Sequence, residues 1–195
     1  MFRREILGKM RIIAGTFRSR QLKSLKGLSL RPTSDMLRET LFNILGPRVE
    51  GSRFLDLFAG TGAIGIEAIS RGAASVVFVE KHSATVRLIR ENLATLEITS
   101  GARVIPTAVA TALEKLQNEK GAAFDFIFLD PPYASENDCA DTLRSLENSP
   151  LVSDSTMVIA EHLKNFKLPA HLARLKPFRA LRQGDSALTF YRRSP

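Results

Sequence analysis

The stretch Arg53-Phe-Leu-Asp-Leu-Phe-Ala-Gly-Thr-Gly-Ala-Ile-Gly65 decides the fold class of this chain of 195 residues. It starts as a short apolar run, typical of a buried strand, and passes through two glycines into a helical stretch that stops at Gly72. Residues 60–65 fit the G-x-G-x-x-G pattern, in which glycines let the backbone turn tightly and approach a ligand. A strand, a glycine loop and a helix in this order predict the first unit of a parallel α/β sheet.

The rest of the chain continues this alternation of apolar runs and amphipathic stretches. The pattern predicts strands at residues 53–58, 75–80, 103–107, 124–129 and 156–161, with helices at 62–71, 83–96, 111–117 and 138–146. Two further strand-like runs, at 173–182 and 187–192, flank Gln183-Gly-Asp-Ser186, a sequence typical of a hairpin turn. We therefore predict a Rossmann-like α/β fold with a mostly parallel sheet of seven strands that ends in an antiparallel hairpin.

The first 50 residues predict a small basic extension in front of a main domain formed by residues 51–195. Within it, Met10–Gly15 and Gln21–Ser24 are expected to pair as a hairpin around the turn Thr16-Phe-Arg-Ser-Arg20. A Pro-containing loop then leads into a predicted helix.

That helix is expected from about Asp35 to Leu45, because Ser34 is a suitable N-cap and Gly46 a suitable C-terminal stop. Arg38 and Asn43 are expected to lie away from its apolar stripe. The residues of the stripe are Leu37, Leu41, Ile44 and Leu45.

Charge is distributed unevenly along the chain, whose formal net charge is +8. Residues 1–50 contain 11 Lys and Arg against 4 Asp and Glu, residues 51–163 contain 9 against 15, and residues 164–195 contain 8 against 1. An acidic centre between basic ends predicts a docking site for a polyanion, and nucleic acid is the first candidate. The alternative is that these side chains only solvate two surface segments. The candidate phosphate contacts are Arg18, Arg20, Lys23 and Lys26.

Composition excludes several other classes of protein. With 44% hydrophobic and 25% charged residues, the chain is neither disordered, collagen-like nor a coiled coil. Its one cysteine, Cys139, cannot form an internal disulfide, and the three histidines lack zinc-site spacing, so we predict a cytoplasmic protein without a metal. No apolar run approaches the roughly 20 residues that span a bilayer, so we predict no membrane contact.

Two acidic residues near the ends of the first two predicted strands indicate the ligand. A carboxylate at Asp56, four residues before Gly60, would repel a pyrophosphate but suit a cationic group. Glu80 ends the second strand, where a carboxylate accepts hydrogen bonds from ribose hydroxyls. A nucleoside with a cationic sulfur and an ammonium group satisfies both acids. The alternative is a glycine turn that packs helix on strand, with Asp56 as a local cap.

Asp130-Pro-Pro-Tyr133 follows the fourth predicted strand, at the same edge of the sheet. An exocyclic amino group has its lone pair delocalised into the base, so a site that methylates it must hold the NH₂ and favour a pyramidal nitrogen. The Asp130 carboxylate and the Pro131 carbonyl can accept both N–H bonds. Pro131 and Pro132 keep these acceptors out of a backbone ladder, and Tyr133 offers a ring for a flipped base. A proline turn with a half-buried tyrosine is the alternative.

These residues resemble the motifs of class I S-adenosylmethionine-dependent methyltransferases that modify amino nitrogens. Met10-Arg-Ile-Ile-Ala-Gly15, Arg31-Pro-Thr-Ser-Asp35 and Arg38-Glu-Thr-Leu-Phe-Asn43 also resemble the N-terminal signature of the RsmD-type methyltransferases, and the resemblance covers nearly the whole chain from Met10. It implies that the loop containing Thr33 closes over the methionine end of the cofactor and that residues 130–133 hold the amino group. The implied cofactor contacts are Asp56, Gly60, Gly62 and Glu80.

RsmD-type enzymes make N2-methylguanine in 16S ribosomal RNA. The resemblance therefore implies S-adenosylmethionine as cofactor, S-adenosylhomocysteine as its product, and 16S rRNA as partner, within a small ribosomal subunit or an assembly intermediate. We also predict a monomeric enzyme. The chain departs from many relatives at Ala108-Val-Ala110, where they have an acidic or polar residue for the adenine amino group.

Four alternatives stay open on the sequence. A DNA adenine-N6 or cytosine-N4 methyltransferase would share the Asp-Pro-Pro-Tyr chemistry, but the basic segments leave little room for a target-reading region. A glutamine methyltransferase of release factors more typically has Asn in place of Asp130. An NAD(P) dehydrogenase accounts only for Gly60–Gly65 and Glu80, and a non-catalytic RNA-binding module accounts only for the charge.

Overall fold

The computed structural model describes residues 10–24, 34–119, 121, 123–132, 136–169 and 172–194. The described strands are β1 (Arg53–Leu57), β2 (Ser75–Val79), β3 (Ala102–Ile105), β4 (Phe124–Leu129), β5 (Val152–Leu163), β6 (Leu175–Gln183) and β7 (Ser186–Arg193). The helices are α1 (Asp35–Leu45), α2 (Ala63–Ser70), α3 (Ser83–Thr95), α4 (Val109–Gln117) and α5 (Glu136–Glu147), with a 3-10 turn (Gly46–Val49) after α1. Within these ranges, no helix has the length and apolar character needed to cross a membrane.

The seven described strands form one sheet in the order β3-β2-β1-β4-β5-β7-β6. β1 to β5 are parallel, and β7 is antiparallel to both β5 and β6. This confirms the predicted sheet and its C-terminal hairpin. The strand order reverses between β1 and β4, and the crevice beyond the carboxyl ends of the strands at such a point is where open α/β sheets bind ligands.

Both faces of the sheet are covered, because successive side chains of each strand point to opposite sides. Phe54 and Phe128 pack on the face covered by α1, α2 and α3, which we call the α1 face. Leu55 and Leu129 pack on the other face, beneath α4 and α5, which we call the α4 face. The apolar character of both sides explains why the strands are apolar in sequence.

Strand β5 is longer than predicted. It begins at Val152, four residues before the predicted start, and ends at Leu163. Residues 153–156 are all polar, so no apolar residue indicates a strand there. The Thr156 hydroxyl donates to the Phe124 carbonyl (2.6 Å) and receives the Ser153 N–H (2.8 Å), so side-chain hydrogen bonds hold this part of β5 where the ladder with β4 is irregular.

The ends of α1 are as predicted. The Ser34 hydroxyl accepts a hydrogen bond from the Leu37 N–H (3.1 Å), which is the expected N-cap contact. The helix ends at Gly46, whose φ of +60° lies in the left-handed region that glycine adopts without strain.

The prediction that Arg38 lies away from the buried side of α1 is wrong, whereas Asn43 is exposed as expected. Arg38 is fully buried. Its Nη2 donates to the Arg11 carbonyl (2.8 Å) and to the Asp35 carboxylate (2.6 Å). A long side chain can bury its stem while its charged end bonds to a distant backbone, and apolar spacing does not reveal this.

The N-terminal segment, residues 10–24, folds back on itself and joins the core. Its two arms meet at an isolated antiparallel bridge between Arg11 and Gln21. The two arms that were predicted to pair are therefore adjacent, but they pair through this bridge and not as regular strands. The segment contributes buried side chains to the apolar cluster on the α1 face. These are Met10, Ile12 and Leu22.

Buried polar side chains of α2 hold this segment in place. The fully buried Glu67 carboxylate accepts the N–H groups of Ile13 (2.8 Å) and Ala14 (3.0 Å) and pairs with the Nε of Arg71 (2.8 Å). The Ser70 hydroxyl donates to the Ala14 carbonyl (2.6 Å). Because an unpaired buried carboxylate is costly, α2 depends on the N-terminal segment as much as the segment depends on α2.

Gly15→Ala tests this attachment. Gly15 has a φ of +83°, and a Cβ there would lie 1.8 Å from the Ser70 carbonyl oxygen, whereas Gly51 has a φ of +72° and no atom within 4 Å of a built Cβ. Gly51→Ala is therefore a matched control. Its only expected loss of stability is the cost of placing alanine in the left-handed conformation, about 1–2 kcal/mol. In urea unfolding, we expect Gly15→Ala to lose about 2 kcal/mol more than this control. Equal losses in the two variants would contradict a close approach of the segment to α2.

Candidate active site

The three predicted acidic residues lie at one edge of the sheet. Asp56 is the second-to-last residue of β1, while Glu80 and Asp130 directly follow β2 and β4. Because these strands are parallel, their carboxyl ends meet at the same edge. Each acid stands two residues after a phenylalanine that packs on the α1 face, so the three side chains project from that face. The phenylalanines are Phe54, Phe78 and Phe128.

The glycine loop between β1 and α2 requires left-handed backbone. Gly60 and Gly62 have φ values of +54° and +78°, and a Cβ at Gly62 would approach Ile89 to 3.3 Å. Phe58 has a φ of +60° although it is not a glycine, a conformation that no sequence pattern indicates. Gly60 therefore leaves partly exposed backbone without a side chain at the switch point, where a ligand can approach closely, whereas Gly62 is buried and gives room to Ile89.

The Asp56 carboxylate lies beneath this loop with 1% of its residue surface exposed. Its Oδ2 accepts the Gly65 N–H (2.9 Å), one of the N–H groups that the first turn of a helix leaves without a helical partner. Burial raises the pKa of Asp56 to about 8. The hydrogen bond from Gly65 opposes this shift, and the charge of Glu80 adds to it. Asp56 thus joins the start of α2 to β1.

Glu80 holds the loop from the second strand. Its Oε2 accepts the Gly60 N–H (3.0 Å), and its Oε1 accepts the His82 N–H (2.8 Å). An ionised carboxylate has about four acceptor positions, so each oxygen keeps one for a ligand. The side chain is therefore a fixed acceptor at the end of β2, which is the geometry that a ribose contact requires.

Asp130 marks the point where β4 leaves the sheet. Its N–H donates to the Leu57 carbonyl at 3.5 Å, and Pro131 and Pro132 have no N–H with which to continue the ladder. The Asp130 residue is partly exposed, Pro131 is buried and Pro132 is exposed. Tyr133, the predicted stacking ring, lies outside the described residues.

A fourth acid, Glu161, lies beside Asp130 and was not among the predicted site residues. Leu129 pairs with Ala160, so the next residues, Asp130 and Glu161, are neighbours at the ends of β4 and β5. Burial, followed by the charges of Glu161 and Asp56, raises the pKa of Asp130 well above its ordinary range. The sequence did contain a signal, since Glu161 ends a predicted strand at the same sheet edge.

Three of the four predicted phosphate contacts are described, and all three are exposed. Lys23 pairs through Nζ with Glu91 on α3 (3.0 Å), and Arg20 donates from Nη2 to the Thr95 carbonyl (3.4 Å). Arg18 is exposed at the turn of the N-terminal segment. Two predicted site residues lie outside the described ranges, Lys26 and the proposed cofactor contact Thr33.

Asn92 on α3 joins the N-terminal segment to the glycine loop, a connection that the sequence did not predict. Its Oδ1 accepts the Lys23 N–H (2.8 Å), while its Nδ2 donates to the carbonyls of Lys23 and Thr61 (3.2 Å each). Thr61 belongs to the glycine loop, and its hydroxyl lies 3.4 Å from the Met10 sulfur. The basic segment and the loop therefore belong to one hydrogen-bonded network.

Comparisons with solved structures agree with this geometry. The chain matches yhhF from Escherichia coli with a TM-score of 0.82 and 35% identity, over 95% of this chain and 98% of that one. It shares its fold with SMU.776 in complex with SAH, with a TM-score of 0.64 and 14% identity, over 80% of this chain and 48% of that one. The chain therefore has the fold of the class I methyltransferases.

The family follows from the sequence comparisons. A profile described as "Conserved hypothetical protein 95" matches residues 10–192. Ribosomal RNA small subunit methyltransferase D from Escherichia coli (strain K12) is 35% identical over 186 residues, which cover 95% of this chain and 91% of that protein. The chain belongs to this family, the RsmD-type methyltransferases, and the resemblance of its motifs is confirmed.

Asp56→Asn should weaken the dependence of stability on pH. Because the pKa of Asp56 is raised from 3.8 to about 8, the folded protein holds a proton there that the unfolded chain releases, and stability falls as pH rises between these values. Asn keeps an oxygen for the Gly65 N–H but cannot ionise. Urea unfolding at about pH 5 and about pH 8 should show a smaller loss for the variant than for the wild type.

The matched control for this prediction is Glu114→Gln, which removes an exposed acid from α4. It should keep the wild-type pH dependence. If Asp56→Asn kept it as well, the buried carboxyl would not be the group that titrates.

Proposed function

We propose that this protein transfers a methyl group from S-adenosylmethionine to the exocyclic N2 amino group of a guanine in 16S ribosomal RNA. The observation that carries the proposal is the convergence of Asp56, Glu80 and Asp130 beside the glycine loop, on one face of one sheet edge. The relative that is 35% identical over most of the chain is named as a methyltransferase of small-subunit ribosomal RNA, which supports the substrate.

The residues at this edge suit S-adenosylmethionine as cofactor. Burial first, and then repulsion from neighbouring acids, raises the pKa values of Asp56 and Asp130, so the site favours a ligand with positive groups over a pyrophosphate. Glu80 has acceptor positions for ribose hydroxyls. Gly60 leaves room for a close approach, since a Cβ there would have only the Phe58 carbonyl within 4 Å. Gly62 is proposed to act through its backbone. The loop containing Thr33 is proposed to close over the methionine end.

S-adenosylmethionine, when bound, supplies an electrophilic methyl carbon, and the chain has to position the amino nitrogen opposite it. The Asp130 carboxylate and the Pro131 carbonyl would accept the two N–H bonds, which favours a pyramidal nitrogen with its lone pair directed at the methyl group. A raised pKa also suits Asp130 to take the proton that the nitrogen loses on methylation. Pro132 keeps the backbone out of the ladder, and Tyr133 is proposed to stack on the base.

The charge distribution suits an RNA substrate. Both basic ends have a net charge of +7, and the centre that contains the acids has −6. Arg18, Arg20, Lys23 and Lys26 are proposed to contact phosphates. The proposed reaction takes place in the cytoplasm, on a small ribosomal subunit or assembly intermediate, and the enzyme acts as a monomer.

Glu80→Gln should weaken cofactor binding. The amide keeps one oxygen for a backbone N–H but loses the negative charge that strengthens hydrogen bonds from ribose hydroxyls, so we expect roughly tenfold lower affinity, or about 1.4 kcal/mol. Titration calorimetry with S-adenosylmethionine measures this change, and Glu114→Gln is the control. Unchanged affinity in Glu80→Gln, or tight NAD binding by the wild type, would contradict the assignment of the cofactor.

Asp130→Ala should separate binding from chemistry. The carboxylate acts on the nitrogen as it becomes pyramidal, so we expect methyl transfer to fall by about 10²–10⁴-fold while cofactor and RNA still bind. Transfer of tritium from labelled S-adenosylmethionine should be measured on naked 16S rRNA, on small ribosomal subunits and on DNA.

Digestion of the labelled product identifies the modified nucleoside. The proposal requires N2-methylguanosine from RNA. Label in DNA would favour the alternative of a DNA methyltransferase, and near wild-type transfer by Asp130→Ala would exclude the proposed role of the Asp-Pro-Pro stretch.

A further inference from the structure

The β6–β7 hairpin presents an exposed basic surface on the α1 face of the sheet. β6 is the edge strand, and its residues 176–180 are all exposed. Lys176 pairs with Arg192, and Arg179 pairs with Phe190. Because Phe190 packs on the α1 face, the alternation of side chains places these three basic residues on that face, the one from which Asp130 projects.

Phe178 lies at the centre of this surface. It is the extra residue of a bulge between Pro177 and Arg179, and 46% of its surface is exposed. Its ring centroid lies 6.3 Å from that of Phe190, and the guanidinium carbon of Arg192 lies 4.5 Å from the Phe178 centroid. Two neighbours therefore fix the ring while nearly half of the residue stays open to solvent.

Within the described part of the chain, no acid pairs with the basic side chains around Phe178, and the Lys176 Nζ donates to the Leu172 carbonyl (2.9 Å). Arg179 and Arg192 form no ion pair with any residue in the described ranges. Residues 164–195 contain a single acid, Asp185. Arg193 does not belong to this surface. Its Nη2 donates to the carbonyls of Glu147 (3.3 Å) and Ser149 (3.0 Å), at the connection between α5 and β5.

We propose that Lys176, Phe178, Arg179 and Arg192 form a surface that binds single-stranded RNA beside the target nucleotide. The inference rests on the proposed function, since it assumes an RNA substrate. Aromatic rings stack on any base, and Arg binds phosphates and stacks on bases through its planar guanidinium. The register places Asp130 level with Leu188 of β7 and Leu181 of β6, two residues along β7 from the partner of Arg179 and four from the partner of Lys176. With three strand spacings of about 4.8 Å and about 3.3 Å per residue, the surface lies roughly 16–20 Å from Asp130, a distance that a few nucleotides span.

A protective role for the edge strand explains less of the surface. Bulges and basic residues on edge strands prevent pairing with another sheet, which accounts for Lys176 and the bulge. It does not account for Phe178, because an exposed aromatic ring at an edge promotes association. Contact with a second copy would bring together two segments with a net charge of +7, which repulsion disfavours.

The first test replaces the ring in the full chain. The probe is a fluorescein-labelled single-stranded RNA 12-mer of mixed sequence, and fluorescence anisotropy measures its affinity. Phe178→Leu keeps an apolar side chain without a stacking ring, whereas Phe178→Trp keeps a ring. We expect Phe178→Leu to bind the probe about 5- to 150-fold more weakly, which corresponds to roughly 1–3 kcal/mol per stacked base, and Phe178→Trp to bind like the wild type.

The second test compares two double variants that remove the same number of positive charges. Arg179→Gln with Arg192→Gln changes the proposed surface. Lys115→Gln with Arg144→Gln changes exposed residues of α4 and α5, on the α4 face. Only the first pair should flatten the slope of log affinity against log salt, by about 1.4, at roughly 0.7 per phosphate contact.

Three outcomes would overturn the inference: wild-type affinity in Phe178→Leu, equal salt slopes in the two double variants, or no binding of the probe by the wild-type protein. If Phe178→Leu changed the sedimentation coefficient of the protein without changing its RNA affinity, that result would also overturn the inference and assign the surface to contact with a second copy. Methyl transfer to rRNA by the wild type is measured in parallel. Its absence would refute the proposed function and leave the binding result intact, whereas transfer with unchanged affinity in Phe178→Leu would refute only this inference.

Discussion

One buried hydrogen bond, from the Gly65 N–H to the Asp56 carboxylate, sets the geometry of the sheet edge that holds the candidate active site. A side chain at Gly65 would bring a Cβ within 2.2 Å of the Phe78 ring, so only glycine lets α2 lie close enough to the sheet for this bond. With strand and helix joined there, the loop between them has to turn sharply. Its turn presents the Gly60 N–H to Glu80, and the cofactor site proposed here is built on those two acids.

The same arrangement separates two opposite electrostatic requirements. Acids that repel one another at the sheet edge favour a positively charged group, whereas an RNA backbone requires positive charge on the protein. If the basic residues lay among the acids, each set would neutralise the other and both preferences would weaken. The chain places its excess of Lys and Arg in residues 1–50 and 164–195 and keeps the acids between them.

The sequence predicted the parts of the molecule that depend on local pattern. Strands and helices follow from apolar periodicity, and the three acids could be identified because each lies at or next to the end of a strand at the same edge. Long-range contacts could not be predicted. The buried Arg38 binds a carbonyl that lies 27 residues away in the sequence, and Asn92 bonds to backbone groups 69 and 31 residues away. Local sequence pattern carries no information about partners at such separations. Phe58 shows a further limit, since its left-handed backbone follows from the loop around it rather than from its own side chain.

The attachment of the N-terminal segment has a consequence for the order in which the molecule is built. Its hydrogen bonds to α2 and α3 join residues 53 to 75 positions apart, and such distant contacts form late because a long loop must close first. The segment is made first during synthesis, but its partners on α2 and α3, Glu67, Ser70 and Asn92, are added to the chain only later. The buried Glu67 carboxylate accepts the Ile13 and Ala14 N–H groups only when the segment has docked on α2, so the beginning of the chain completes a structure that its later residues have to start.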